Sequence, residues 1–187
     1  PTLCPNCGWN LAGEREALVL GCKNCNTVWY PVGKRLKKLK FAQLPGKGER
    51  TIFLPFWRIK ADISGINLDT YADLITVANL PRVVQKAWRD IPFRFWIPAF
   101  KVRPQVFLHL AAHTTLSQPR QKLTSELPEA RIYPTTLPIE EAIESLTITL
   151  ANFMKPRRTL LERFSDIQID AKTFSLVFLP FDEGHHE

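Results

Sequence analysis

The chain contains four cysteines, and their spacing is the clearest chemical signal in the sequence. They form two Cys-x-x-Cys pairs separated by fourteen residues: Cys4, Cys7, Cys22 and Cys25. Two cysteines spaced in this way turn their sulfurs to the same side of a tight turn. Two such turns facing each other provide the tetrahedral set of thiolates that Zn²⁺ prefers. The spacing therefore predicts one metal site with four sulfur ligands.

The residues next to each cysteine pair fit the tight turns that such a site needs. Pro5 lies inside the first pair and fixes the backbone φ, and Gly8 follows it and tolerates a positive φ. Asn26 holds the equivalent place after the second pair, and asparagine also tolerates a left-handed backbone. Over residues 2–31 the sequence resembles the zinc-ribbon superfamily. The resemblance implies a bound zinc ion, but it does not imply one particular activity.

The spacing alone leaves two other sulfur chemistries open. The four cysteines could form two disulfides, although such a pattern in a reducing compartment is more typical of a metal site. Iron in a rubredoxin-like site would use the same four thiolates, with Trp9, Trp29 and Tyr30 as its shield. The interval between the pairs is short for that fold, so we favour Zn²⁺ as the cofactor. Four thiolates leave no open coordination position, which predicts a structural ion.

A second group of residues carries positive charge. The chain has a formal net charge of +7, which favours contacts with nucleic acid, anionic lipid or acidic protein. Much of this charge lies in one segment after the cysteine region: Lys34, Arg35, Lys37, Lys38 and Lys40. These cations beside Trp9, Trp29 and Tyr30 give a hypothesis of single-stranded nucleic-acid binding. Leu36 and Leu39 interrupt the cations and would instead dock the segment on the rest of the protein.

The histidines give a third hypothesis, which is a second metal site. His109 and His113 are four residues apart, so a helix would place both on one face. The residues between them lack the glutamate that a zinc protease uses as its general base. A further set of candidate ligands lies near the end of the sequence: Asp182, Glu183, His185 and His186. A fold that joined the two sets would make a metal-dependent enzyme.

Several enzyme classes lack their signatures in this sequence. All four cysteines are assigned to the metal, so no thiol nucleophile is left. The sequence also has no Gly-x-Ser-x-Gly elbow, no Walker loop and no Gly-x-Gly-x-x-Gly motif. No apolar run reaches the roughly 18 residues of a membrane span. We therefore expect no membrane partner for this segment, and the cysteine usage favours a cytoplasmic location.

The elements around these residues predict an α+β protein in three segments. Six of the eight glycines precede residue 50. We therefore predict a zinc ribbon at 1–32, a basic connector at 33–48 and an α+β domain with an antiparallel sheet at 49–187. Alternating apolar residues and apolar runs predict strands at 17–20, 27–31, 51–63, 167–170 and 173–181. Helical spacing predicts helices near 71–78 and 83–88, from residue 104 onward, and at 138–153.

The function expected from the sequence is non-catalytic. We expect the zinc ribbon to be a rigid docking unit and the larger domain to be a scaffold that binds a protein partner. Nucleic-acid binding through the basic segment is the first alternative. A metal-dependent enzyme that uses the histidine sites is the second.

Overall fold

The computed structural model of the protein describes residues 2–46, 48–154, 162 and 164–184. Within these ranges the chain forms two β-sheets and several helices, which confirms the predicted α+β class. No helix in the described ranges has the length and apolar character needed to cross a membrane.

The smaller sheet follows the first cysteine pair and contains three antiparallel strands in the described part of the chain. Its strands are β1 (Leu20–Cys22), β2 (Thr27–Val32) and β3 (Arg35–Leu39), with β2 in the centre. The strand predicted at 17–20 in fact begins at Leu20. β3 lies within the predicted connector 33–48. A two-residue turn joins it to β2, and Gly33 has a φ of 61°, as the first turn position of a type II′ hairpin requires.

The larger sheet contains four strands among the described residues, in the order β4-β7-β5-β6. They are β4 (Phe41–Gln43), β5 (Thr51–Ser64), β6 (Phe95–Pro98) and β7 (Gln168–Asp182). β5 and β7 pair antiparallel along their whole length, with one irregularity between Lys60 and Ala61. The two strands predicted at 167–170 and 173–181 are therefore one strand. The predicted sheet is antiparallel except for β4, which runs parallel to β7.

Helices pack against the larger sheet. They are α1 (Tyr71–Val77), α2 (Pro104–Ser117), α3 (Ile139–Glu144) and α4 (Leu146–Met154). The helix predicted near 83–88 is instead a short 3₁₀ helix at Lys86–Asp90. The helix predicted at 138–153 is broken at Ser145, whose hydroxyl donates to the Ala142 carbonyl at 2.7 Å. Such local hydrogen bonds compete with those of the regular helix.

The two sheets share one hydrophobic core. Val28 of β2 lies directly opposite Leu39 of β3, and both are buried. They belong to the same buried cluster as Trp57 and Ile59 of β5 and Phe178 of β7. The cysteine region is therefore packed against the larger sheet through one face of the smaller one. The basic residues that follow it are part of this packed structure.

Candidate metal centre

The four cysteine sulfurs converge on one point. All of them lie within 4.8 Å of one another, with 3.7 Å from Cys4 Sγ to Cys25 Sγ and 3.5 Å from Cys7 Sγ to Cys22 Sγ. Sulfurs at about 2.3 Å from a tetrahedral zinc ion are about 3.8 Å apart. The sulfur positions are therefore compatible with a single metal ion. They are free thiols, and their separations far exceed the roughly 2.0 Å of a disulfide bond.

Two tight turns and the smaller sheet hold the sulfurs in place. In the first turn the Gly8 N–H donates to the Cys4 carbonyl at 2.8 Å, and Gly8 has a φ of 73°. Cys22 ends β1, and Cys25 lies in the turn to β2, where Asn26 has a φ of 51°. Gly8 and Asn26 thus both adopt the positive φ predicted from the sequence. Each turn brings its cysteine pair to the same side.

Thr27 is a positioning residue that the motif analysis missed. Its buried hydroxyl accepts a hydrogen bond from Trp29 Nε1 at 2.9 Å. The hydroxyl oxygen also lies 3.1 Å from Cys25 Sγ and 3.6 Å from Cys4 Sγ. A hydroxyl can accept and donate at once, so beside thiolates, which only accept, the Thr27 hydroxyl can donate its one proton to a sulfur while it accepts from the indole. The sequence contains one indication of this role, which is the spacing of Thr27 and Trp29 after the second cysteine pair. Residues two apart on a strand lie on the same face, so both side chains face the sulfurs from β2.

The environment separates the pKa values of the cysteine thiols. Burial raises the pKa of Cys4, but the backbone at Asn6 and Cys7 and the Thr27 hydroxyl together lower it to about 6. The Thr27 hydroxyl also lowers the pKa of Cys25. Burial raises the pKa of Cys22 to about 11. Cys4 and Cys25 are thus stabilised as thiolates, whereas a bound cation has to displace the proton of Cys22.

The sulfur cluster is closed on the side of the sheet. Cys4 and Cys22 are buried together with Trp29, whose side chain is only 8% exposed. Leu11 and Leu36 pack around them. Cys7 faces solvent, where Asn24 Nδ2 lies 3.5 Å from its sulfur. Four sulfurs complete a tetrahedron and leave no position for a substrate or water. The geometry can therefore hold a metal ion, and it offers no open coordination site for catalysis.

The basic residues lie along one exposed strand. Arg35, Lys37 and Lys38 are in β3, and Lys34 and Lys40 lie at its two ends. All five are exposed, and none takes part in an ion pair with the described residues. The structure therefore collects the predicted cations on one edge of the smaller sheet.

The aromatic residues proposed to accompany these cations are placed differently from the prediction. Trp29 is buried against the cysteines, and Tyr30 is half-buried with its ring 6.1 Å from that of Phe174. Trp9 is 62% exposed. Single-stranded nucleic-acid binding through all three rings would require them to be exposed, but the residues of β2 alternate between two covered faces. Two of the three aromatic residues are therefore unavailable for stacking on bases.

Among the described residues, the structure brings His109 and His113 together and places no further ligand beside them. Both lie on the exposed side of α2 with their rings stacked at 6.0 Å. Asp182 ends β7 and Glu183 follows it, whereas His185 and His186 are outside the described residues. In the ranges that the structure describes, the four cysteines are the one group of three or more potential ligands close enough to share an ion.

Comparison with known proteins gives no relative for this chain. No family model, no curated protein and no solved structure matches it. Functional conclusions therefore come from the geometry of the chain itself.

Replacing Thr27 tests its role at the metal centre. We expect Thr27→Val to weaken metal affinity by about 10–100-fold, because sulfur loses its hydroxyl donor and the Trp29 N–H loses its acceptor. Thr27→Ser keeps the hydroxyl and should retain most of the affinity. Competition with a chromophoric chelator measures both variants. Equal affinities for Thr27→Val and Thr27→Ser would show that the hydroxyl does not act on the sulfurs.

Proposed function

We propose that the bound ion is Zn²⁺, that its role is structural, and that residues 1–32 form a zinc ribbon. The support is the clustering of four cysteine sulfurs within 4.8 Å of one another, which supplies all four ligands that a tetrahedral zinc ion takes. Soft thiolate ligands favour zinc over the hard cations. Reduced cysteines of this kind also suit a cytoplasmic location.

We infer further that the protein is a non-catalytic binding module that docks an acidic protein segment along β3. The observation that carries this proposal is the combination of a free strand edge with unneutralised cations. β3 pairs with β2 on one side and lies at the end of the strand order in the described sheet. Extended peptides bind such edges by adding a strand, and their main-chain hydrogen bonds provide affinity.

The hairpin geometry identifies the main-chain groups that are free for a partner. Val32 and Arg35 flank the two-residue turn and so exchange hydrogen bonds across the β2–β3 ladder. The direction in which the backbone N–H and C=O groups point alternates from one residue of β3 to the next. Those of Leu36 and Lys38 therefore point away from β2. Lys40 continues this outward set, and its carbonyl accepts from the Leu176 N–H at 2.9 Å. No such hydrogen bond reaches Leu36 or Lys38 from the described residues.

The charge on this edge defines the chemistry of the partner. The side chains of β3 alternate between the two faces of the sheet, and those of a peptide strand added beside it would do the same. An added strand with acidic residues would therefore place a carboxylate near a cation on each face. Lysines on an edge also discourage pairing with neutral strands, which makes the edge selective. A nucleic acid would use the cations too, but with Trp29 and Tyr30 covered it lacks the adjacent rings on which bases stack.

The metal contributes by holding this edge in a fixed conformation. Leu36 packs on the sulfur cluster, and Leu39 is buried in the core that the sheets share. β3 is thus fixed from both faces, although its outer edge is exposed. A preformed edge binds a peptide with a smaller loss of conformational entropy than a flexible segment would.

The zinc proposal predicts one equivalent of zinc per chain by elemental analysis of the protein purified without added metal. Cys22→Ser should abolish this content, because it removes a buried ligand while the other three sulfurs remain. Iron as the stoichiometric metal, or metal content unaffected by Cys22→Ser, would contradict the proposal.

The docking proposal predicts that a fluorescent peptide of about eight residues, alternating Glu and Val, binds the zinc-loaded protein. Lys37→Glu combined with Lys38→Glu should weaken binding by about tenfold or more, since attraction becomes repulsion. Lys86→Glu combined with Lys122→Glu changes the net charge equally at two exposed sites and should have little effect.

Two further probes separate strand addition from simple charge attraction. Two peptides are compared, one N-methylated at its odd-numbered residues and the other at its even-numbered residues. Only one of these two sets of N–H groups faces β3, so one peptide should lose binding and the other should keep it. Equal loss in both sets, or no loss in either, would contradict strand addition. Tighter binding of a single-stranded oligonucleotide than of the peptide at the same salt would assign the edge to nucleic acid instead.

A further inference from the structure

A second group of cations lies on the larger sheet, on different strands from β3. Arg58 and Lys60 alternate with buried residues on β5 and therefore share one face of the sheet. Arg58 is directly opposite Trp96 of β6 and Ser175 of β7. Arg94 precedes Trp96 by two residues and lies on this face as the diagonal neighbour of Arg58. Arg58 on β5 and Arg94, just before β6, are therefore close enough for the charge of one to act on the other.

Parts of this cluster are buried without a hydrogen-bonding partner. Arg58 Nε and Trp96 Nε1 are both inaccessible to solvent, and neither has an acceptor among the described residues. The Arg58 guanidinium lies 5.6 Å from the centre of the Trp96 ring. This contact stabilises the cation but satisfies no N–H group. Arg94 is also half-buried, and its Nη1 donates to the Phe93 carbonyl at 2.8 Å.

No carboxylate neutralises these arginines in the described part of the chain. The ion pairs found there join Lys101 to Glu141, Arg131 to Glu183, and Lys172 to Asp62 and Asp170. Asp62, the next acidic residue on this face of β5, is therefore held by Lys172. Burial lowers the pKa of Arg58, and the charge of Arg94 lowers it further. Half-buried charges without counter-ions are costly to a fold, and an external anion would relieve that cost.

We propose that Arg58, Lys60 and Arg94 bind the phosphate group of a small molecule on this face of the sheet. Two guanidinium groups provide planar pairs of N–H donors that match phosphate oxygens, and Lys60 adds a third charge from an exposed position. Ser175 opposite Arg58 and Thr173 opposite Lys60 add hydroxyl donors. Three cations match a phosphate dianion better than they match a single carboxylate. This site is independent of the docking proposed for β3.

The test uses the zinc-loaded full chain titrated calorimetrically with inorganic phosphate and with phenyl phosphate. Saturable binding of one equivalent is expected for at least one probe. Arg58→Gln and Arg94→Gln should each weaken it by about tenfold or more, as expected for charge-assisted hydrogen bonds. Arg131→Gln removes the same charge from an exposed residue paired with Glu183 and should leave binding unchanged. Lys60→Gln, at an exposed position, should also weaken binding and gives a second variant if the arginine variants fail to fold.

The source of the phosphate and the nature of the contact follow from the same titrations. Tighter binding of phenyl phosphate indicates a phosphate ester, and tighter binding of inorganic phosphate indicates the free ion. Affinity for phenyl phosphate should rise as the pH increases through about 6, where the ester becomes a dianion while the arginines stay charged. The absence of saturable binding, or equal effects of Arg58→Gln and Arg131→Gln, would overturn the proposal. Lys37→Glu with Lys38→Glu should not change this binding, which separates the two sites.

Discussion

Strand β2 is covered on both faces, and the rest of the structure depends on this constraint. Thr27 and Trp29 face the sulfur cluster, whereas Val28 on the opposite face is buried in the core shared with the larger sheet. A metal ion that orders the sulfurs therefore also orders a strand that the main core needs. Structural zinc can contribute about 10–16 kcal/mol to folding in small zinc-finger peptides. With zinc bound at the proposed site, that energy would act on the smaller sheet and, through Val28, on the core beneath it.

The protein carries its excess positive charge in two different environments. The cations of β3 are exposed to solvent, so their field is screened by salt and attracts partners at little cost to the fold. Arg58 and Arg94 are half-buried without carboxylates among the described residues, so their charge is costlier and more selective for a small anion. In both places rigid strands fix the cations in advance. The two surfaces differ in burial, and for this reason we propose a protein partner for the first and a small anion for the second.

The sequence predicted the features that depend on local spacing. The cysteine pairs, the positive φ at Gly8 and Asn26, the long strand β5 and the α+β class all follow from patterns within a few residues. The missed features depend on long-range packing. The sequence predicted that Leu36 and Leu39 dock the basic segment on the rest of the protein, but only the pairing with β2 shows that they do so from two opposite faces of β3. The meeting of Arg58 with Trp96 likewise requires the register of β5 and β6, which no local pattern encodes.

Hydrogen exchange of backbone amides before and after zinc removal tests most directly whether the metal holds the smaller sheet and its basic edge together. Chelation should strongly reduce protection across residues 20–39, including the buried positions Val28 and Leu39, and added Zn²⁺ should restore it. Protection in the centre of β5 and β7 should fall less, because those strands pair with each other along their whole length. Unchanged protection at Val28 and Leu39 after complete zinc removal would contradict the account.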